Sequence, residues 1–415
     1  MSRIPLLIYS DAPEGFTGLG RITRDLATHL TQDLETQEIF EIATYGYNSI
    51  GSKHLPWTQY RADSIECVTY NFRRVWEDFS EGSRGVLMPI TPPSWLFGFA
   101  RPDKVAQENP KLSDLCQWLL DKPFEIWPYL AIETQGPKGL TTTQSAEGGF
   151  TVSSVEVIKN VDRPLFYSKW GAKMASESIK DVGFEWIHHG LCGEHFKRSN
   201  EFERIGERHN LGVDDKTLVV GCVATNTGRK AFGQLFEIAA LLKELRKGEF
   251  CLWLHTDRLI GHWSLPALFD DFGLQRGDVY LTLSSPQVDD KWLSRMYSAC
   301  DVTILPSLGE GFGYPVVESM LCGTPCIVGE FGAQSELVPS SLHISTVSTY
   351  IDGGIHTFVR PVYNSKHWAG RIEDFFLSKA AGPTFCREHA LQWDWSTQWP
   401  KFRKWFFEGA TNFKP

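Results

Sequence analysis

A chain of 415 residues is too long for one ordinary hydrophobic core, so two domains are expected. With 42% hydrophobic and 22% charged residues it has globular values, and no apolar run is long enough to cross a bilayer as a helix. The net charge of −9 is concentrated in the first 195 residues, which disfavours long-range attraction of nucleic acid or an anionic membrane to that part.

The nine cysteines form an odd set without a C-x-x-C pair and read as free thiols of a reducing compartment. The N-terminal apolar stretch is too short for a signal sequence, so a cytoplasmic protein is expected. That stretch, 4–10, reads as a first strand, and Ile22, Leu26 and Leu30 give the next segment a helical stripe. Between them lies DAPEGFTGLGR, where Gly15, Gly18 and Gly20 allow a sharp turn and close approach to a ligand. The spacing is G-x-x-G-x-G and not the dinucleotide pattern G-x-G-x-x-G, which speaks against an NAD site.

Strands are expected over 39–47 and 85–90, with Val68, Phe72, Val75, Trp76 and Phe79 forming an amphipathic helix between them. The proline-rich, aromatic stretch 91–110 reads as a long irregular excursion, and core packing is preferred over ligand stacking for Trp95, Phe97 and Phe99. A strand and turn follow over 128–140, with Glu133 as its polar candidate. His188, His189, Cys192 and His195 crowd together, but adjacent histidines in a strand face opposite ways, so a linker between domains is preferred to a metal site.

From 217 to 338 strand and helix alternate, the pattern of a doubly wound parallel sheet. Leu218 opens a buried strand, Arg229 and Lys230 sit at the start of the next helix, and further strands are expected over 249–256 and 279–285. Two cations at a helix N-terminus oppose its dipole, which is easier to understand if an anion binds there. The segment 305–323, LPSLGEGFGYPVVESMLCG, lies between two short apolar runs. Pro315 opens a helix whose Val316, Val317, Met320 and Leu321 share a face, and Gly323 ends it. A glycine loop after a parallel strand, entering a helix N-terminus, is a seat for phosphate. Glu310 in the loop and Glu318 in the first helical turn offer carboxylates suited to sugar and ribose hydroxyls.

This run, PS-x-x-EGFG-x-P-x-x-E-x-x-x-x-G-T-P, resembles the E-x7-E signature of the retaining GT-B glycosyltransferases of family 4, the group 1 glycosyltransferases. The resemblance implies an α/β GT-B fold with two Rossmann-like domains facing across a cleft and a C-terminal helix crossing back to the N-terminal domain. It places Glu310 against the donor sugar, Gly311, Phe312 and Gly313 around the diphosphate, and Glu318 on the ribose hydroxyls. It further implies that Gly18 and Gly20 reach the donor phosphates and that Arg229 and Lys230 neutralise the leaving diphosphate. Three positions depart from the family pattern. Thr225 stands where an arginine is usual, Cys192 stands for an aspartate, and the N-domain histidine is missing, with Glu133 nearest to its place.

The expected domains are 1–195 on the acceptor side, 196–395 binding the nucleotide sugar, and 396–415 as the returning helix. The basic and aromatic residues of that tail also fit a nucleic-acid platform, although helix packing is preferred. The function implied is metal-independent and cofactor-free: transfer of a sugar from a nucleoside-diphosphate donor to a hydroxyl acceptor, a glycan, lipid or small molecule, with retention at the anomeric carbon. A hydroxylated DNA base as acceptor, a phosphorylase or epimerase on the same fold, and a non-catalytic nucleotide-sugar sensor are the alternatives.

Overall fold

The computed structural model describes residues 3–15, 17–47, 54–62, 71–137, 139–144, 151–284, 288–353, 357–378 and 381–414. The chain divides into two compact units, the first Met1–His189 with Ile351–Phe358 and Gln398–Pro415, the second Gly190–Tyr350 with Val359–Thr397. The division falls after His189, ahead of the expected 195/196 boundary. Local bonding accounts for the place: His189 is buried against Tyr129 and Tyr167 of the first unit. Leu191 instead exchanges backbone bonds with Trp393 (2.9 Å) and Trp395 (3.0 Å) of the second.

In the first unit β1 (Ile4–Asp11) lies between β2 (Phe40–Tyr47) and β4 (Gly85–Thr91), and β3 (Thr58–Arg61) pairs with β2. Beyond β4 follow β5 (Phe124–Ile126) and β6 (Tyr129–Leu130), both paired with it, because Pro128 lacks the N–H needed to keep one strand continuous. A small antiparallel hairpin, β7 (Thr142–Gln144) and β8 (Thr151–Ser153), precedes β9 (Leu165–Phe166) and β10 (Glu185–Trp186), which complete the sheet. All pairings in the main sheet are parallel.

The amphipathic helix is Phe72–Ser80, and Val68 lies outside the described residues. The stretch after β4 is not the irregular excursion expected: it folds as three short helical pieces, Pro93–Leu96, Phe97–Ala100 and Pro102–Glu108. Prolines at the first turns of two of these start helices without wasting an N–H, a use that a proline count alone does not reveal. Phe97 and Phe99 join the core, while Trp95 stays 36% exposed beside Tyr47.

Helix Trp395–Asn412 carries the tail, and from Gln398 onward it belongs to the first unit. Phe402, Trp405 and Phe406 are buried there against Tyr129, Trp127 and Phe40. The Arg163 guanidinium lies 4.4 Å from the Trp405 ring centroid. Asp33 caps helix Leu34–Ile39 and also accepts from Trp399 (3.1 Å) and pairs with Arg403 (3.1 Å).

The second unit holds β11 (Leu218–Val223), β12 (Phe250–Thr256), β13 (Val279–Leu283), β14 (Val302–Leu305), β15 (Cys326–Gly329) and β16 (His343–Ile344). Their order in space is β13-β12-β11-β14-β15-β16, parallel throughout. This is the doubly wound order, in which the winding reverses between β11 and β14. Strand β12 is buried along its whole length and β11 along nearly all of it, as near-continuous apolar runs in a sheet covered on both faces should be.

Candidate functional site

In a doubly wound sheet the connections leaving two adjacent strands at the reversal part to opposite faces, so a crevice opens at their carboxyl ends. In the second unit those two connections are the loop after β11 and the loop after β14. The first carries Arg229 and Lys230 in the single turn Gly228–Lys230, and the second carries Glu310. Their side chains meet: Arg229 lies 2.6 Å from Glu310 Oε2, and Lys230 pairs with Oε1. The loops are also sewn together by backbone, Leu308 N–H donating to Arg229 O (2.7 Å) and the Arg229 guanidinium to Gly309 O (3.1 Å).

Lys230 and Glu310 are buried. Burial alone would push the Glu310 carboxyl up, but the Arg229 and Lys230 charges beside it and the Ser307 hydroxyl hold it down at about 2. It is therefore a carboxylate at neutral pH, and the three residues form a compact charge cluster with one surplus positive charge. A buried carboxylate flanked by two cations shows what such a pair is built to hold: an anion at this point is stabilised at short range in a low-dielectric setting.

Behind Glu310 the glycine loop enters helix Tyr314–Leu321 through Gly313, whose φ of +117° only glycine adopts without strain. Phe312 is buried with its ring against Tyr314. Because the helix starts at Tyr314, Glu318 stands in its second turn, not the first as expected. A macrodipole role for the carboxylate is thereby weakened, since that effect fades beyond the first turn. Glu318 is buried and accepts the Tyr297 hydroxyl at 2.8 Å.

The predicted site residues thus fall into three groups. Arg229, Lys230 and Glu310 converge, Gly311 to Gly313 join them to the helix bearing Glu318, and all belong to the second unit. Gly18, Gly20 and Glu133 belong to the first. There Gly18 and Gly20 form the first turn of helix Gly18–Gln32, capped by Thr17, whose hydroxyl accepts Gly20 N–H at 3.0 Å. A Cβ on Gly20 would meet Ala12 O at 2.7 Å, so the β1 turn closes only over a glycine. Glu133 is half-buried between β6 and the Gly136–Gly139 bridge.

Several supporting residues carry no signal in the sequence. Gln334 donates to Ser307 O (3.0 Å) and holds the loop after β15 on the Glu310 loop. Asn226, buried after β11, clamps the loop after β12 by accepting Trp263 N–H (2.9 Å) and donating to Trp263 O (2.8 Å) and Arg258 O (3.2 Å). Ser307, inside the motif itself, was open to prediction from its position beside Glu310. Asn226, Gln334 and Tyr297 come from other strand ends and helices, and only the topology brings them in.

Known proteins resemble this chain in sequence and in fold. A D-inositol 3-phosphate glycosyltransferase of Mycolicibacterium vanbaalenii is 27% identical over 202 residues, covering 47% of this chain and 41% of that protein. A protein of the same name from Mycobacterium sp. (strain KMS) is 28% identical over 243 residues, 58% of this chain and 50% of that one. The chain thus spans about half the length of the curated relatives it matches. Among solved structures, sucrose-phosphate synthase from Thermosynechococcus elongatus superposes with a TM-score of 0.70 at 16% identity over 99% of this chain and 100% of that one. Anabaena HepE in complex with UDP-glucose gives 0.66 at 15% identity over 98% and 100%. The architecture is therefore that of the GT-B glycosyltransferases, two parallel-sheet Rossmann-like units, and within it residues 282–378 match the family model described as glycosyl transferases group 1.

Proposed function

We propose that the protein transfers a glycosyl group from a nucleoside-diphosphate sugar to a hydroxyl acceptor, with retention at the anomeric carbon and without metal or cofactor. The observation that carries this reading is the meeting of Arg229, Lys230 and Glu310 at the reversal of the second sheet, beside the glycine loop and helix that bear Glu318. The relatives named as glycosyltransferases and the neighbour holding UDP-glucose support the donor class.

The donor diphosphate competes with Glu310 for the two cations. As the phosphates draw Arg229 and Lys230 toward themselves, the Glu310 carboxylate is released to accept hydroxyls of the sugar. The bond from the anomeric carbon to the phosphate oxygen then breaks, and the acceptor oxygen bonds to that carbon on the same face. The acceptor proton passes to the departing phosphate oxygen, and the negative charge grows where Arg229 and Lys230 stand. Glu318 accepts the ribose hydroxyls, which fixes the donor at its other end.

The test is incubation with a panel of nucleotide sugars and hydroxyl acceptors, following free nucleoside diphosphate and the anomeric configuration of the product by NMR. Acceptor-dependent release with the donor's configuration kept is expected. An inverted product overturns retention, and binding without turnover of any nucleotide sugar overturns transfer. Including DNA with hydroxylated bases among the acceptors decides whether a nucleic acid takes the sugar.

A further inference from the structure

His255 is the penultimate residue of β12, at the carboxyl end where ligands of a doubly wound sheet bind, and no role assigned so far uses it. It is buried, yet its surroundings are arranged around one of its nitrogens only. Trp253 Nε1–H donates to Thr282 Oγ1 at 3.0 Å, and the same Oγ1 lies 2.9 Å from His255 Nδ1. The indole can only donate, so the threonine oxygen accepts from it and the threonine hydrogen is available for Nδ1. With Nδ1 as acceptor, the ring proton resides on Nε2, at the opposite edge of the imidazole. Nε2 has no hydrogen-bond partner among the described residues and is not one of their fully buried polar atoms, so this edge of the ring can be reached by a ligand. Burial pushes the imidazole down to about 4, so the ring is uncharged at neutral pH and presents a single N–H.

The same face of the sheet leads to Glu318. Trp253, two residues before His255 and therefore on its side of β12, packs 5.7 Å from the Tyr297 ring, and the Tyr297 hydroxyl donates to Glu318. The His255 ring lies 5.7 Å from Trp292 on the helix that also carries Tyr297. Phosphate-binding cations at the reversal, a ribose-binding carboxylate on the adjoining helix and an outward imidazole N–H at the next strand end follow the order of a nucleotide's own parts.

We infer that His255 reads the nucleobase of the donor, its Nε2–H donating to a carbonyl oxygen of the base, and so selects against adenine, the one common base without a carbonyl. The inference rests on the nucleotide-sugar reading above and adds the class of nucleotide. Thr282 acts through His255 by holding the tautomer, which makes it a positioning residue.

The experiment is calorimetric titration of wild type, His255→Phe and His255→Gln with UDP, GDP, CDP and ADP. Wild type is expected to bind at least one carbonyl-bearing nucleotide about tenfold or more tightly than ADP. His255→Phe should lose about that factor on the favoured nucleotide and leave ADP unchanged, while His255→Gln, which keeps an N–H, retains part of the preference. Should His255→Phe not fold, Thr282→Val reads the same point, since an unlocked tautomer should narrow the preference. Equal wild-type affinity for ADP, an equal loss on all four nucleotides, or an unchanged preference in folded Thr282→Val each overturns the assignment while leaving the donor site standing. Failure to bind any of the four removes the donor reading and this inference together.

Discussion

At the scale of single residues, the Glu310 cluster makes the sharpest claims. Removing one partner of a buried ion pair typically costs about 3–5 kcal/mol, because the remaining charge stays buried without compensation. Glu310→Gln should therefore lower the melting temperature of the empty protein by about that equivalent, since Lys230 is buried and loses its counter-ion. A nucleoside diphosphate replaces the missing anion, so it should raise the melting temperature of Glu310→Gln more than that of wild type. Thermal melts with and without UDP or GDP check this, and an equal rise in both would mean that the cations do not meet the phosphates. Glu318→Ala should weaken binding of the bare nucleoside diphosphate by about 1.5–3 kcal/mol through loss of a charged acceptor. Tyr297→Phe removes only the 2.8 Å bond on the other side of that carboxylate, and titration should find its nucleotide affinity nearly intact.

Elements set where those residues stand. The cations are held by a loop tied on both sides: Asn226 ties it to the loop after β12, and Leu308 N–H, donating to Arg229 O, ties it to the loop after β14. Asn226→Ala releases the Trp263 backbone and lets the cation-bearing turn move, so kcat/KM should fall by more than the loss of stability explains. Steady-state kinetics beside melting curves separate the two effects. Strand β11 shows the same dependence in its packing. A Cβ on Gly221 would lie 2.7 Å from Cys300 Sγ and 3.0 Å from the Thr303 methyl. Gly221→Ala therefore overpacks the contact between β11 and β14 at an expected cost of about 1–3 kcal/mol, measured by denaturant unfolding.

For the molecule as a whole, acid is the informative stress. His189 is fully buried, and burial holds its imidazole well below the ordinary range, while His255 is held at about 4. An unfolded histidine takes up its proton near pH 6.5, so below that value the unfolded chain binds protons that the folded one refuses, and stability falls as pH drops. For His255 this loss develops from about pH 6.5 down to about 4. The Glu310 carboxylate adds a second, lower phase: its contribution is complete above its ordinary 4.5 and fades as the pH approaches 2. Melting temperatures recorded across this range should decline in these two stages, and His255→Gln should flatten the upper one.

Features that depend on local chemistry and spacing are legible in the chain before it is folded. Alternation of apolar strands with striped helices marks the doubly wound second unit, and the run from Glu310 to Glu318 marks the glycine loop and its helix, because each needs particular residues at short fixed separations. Which distant side chains touch one another there is decided by the fold. Arg229 and Lys230 reach Glu310 because β11 and β14 are neighbours at the reversal of the sheet, an adjacency that no periodicity encodes. His255 and Thr282 lie on different strands and meet for the same reason, and each alone reads as an ordinary strand residue. The stretch 91–110 reads as a loop and folds as helices, since prolines at helix starts and prolines in loops look alike until the backbone around them is known. Pairing across a sheet is a long-range choice set by burial on both faces, and it is there that the identity of the site is completed.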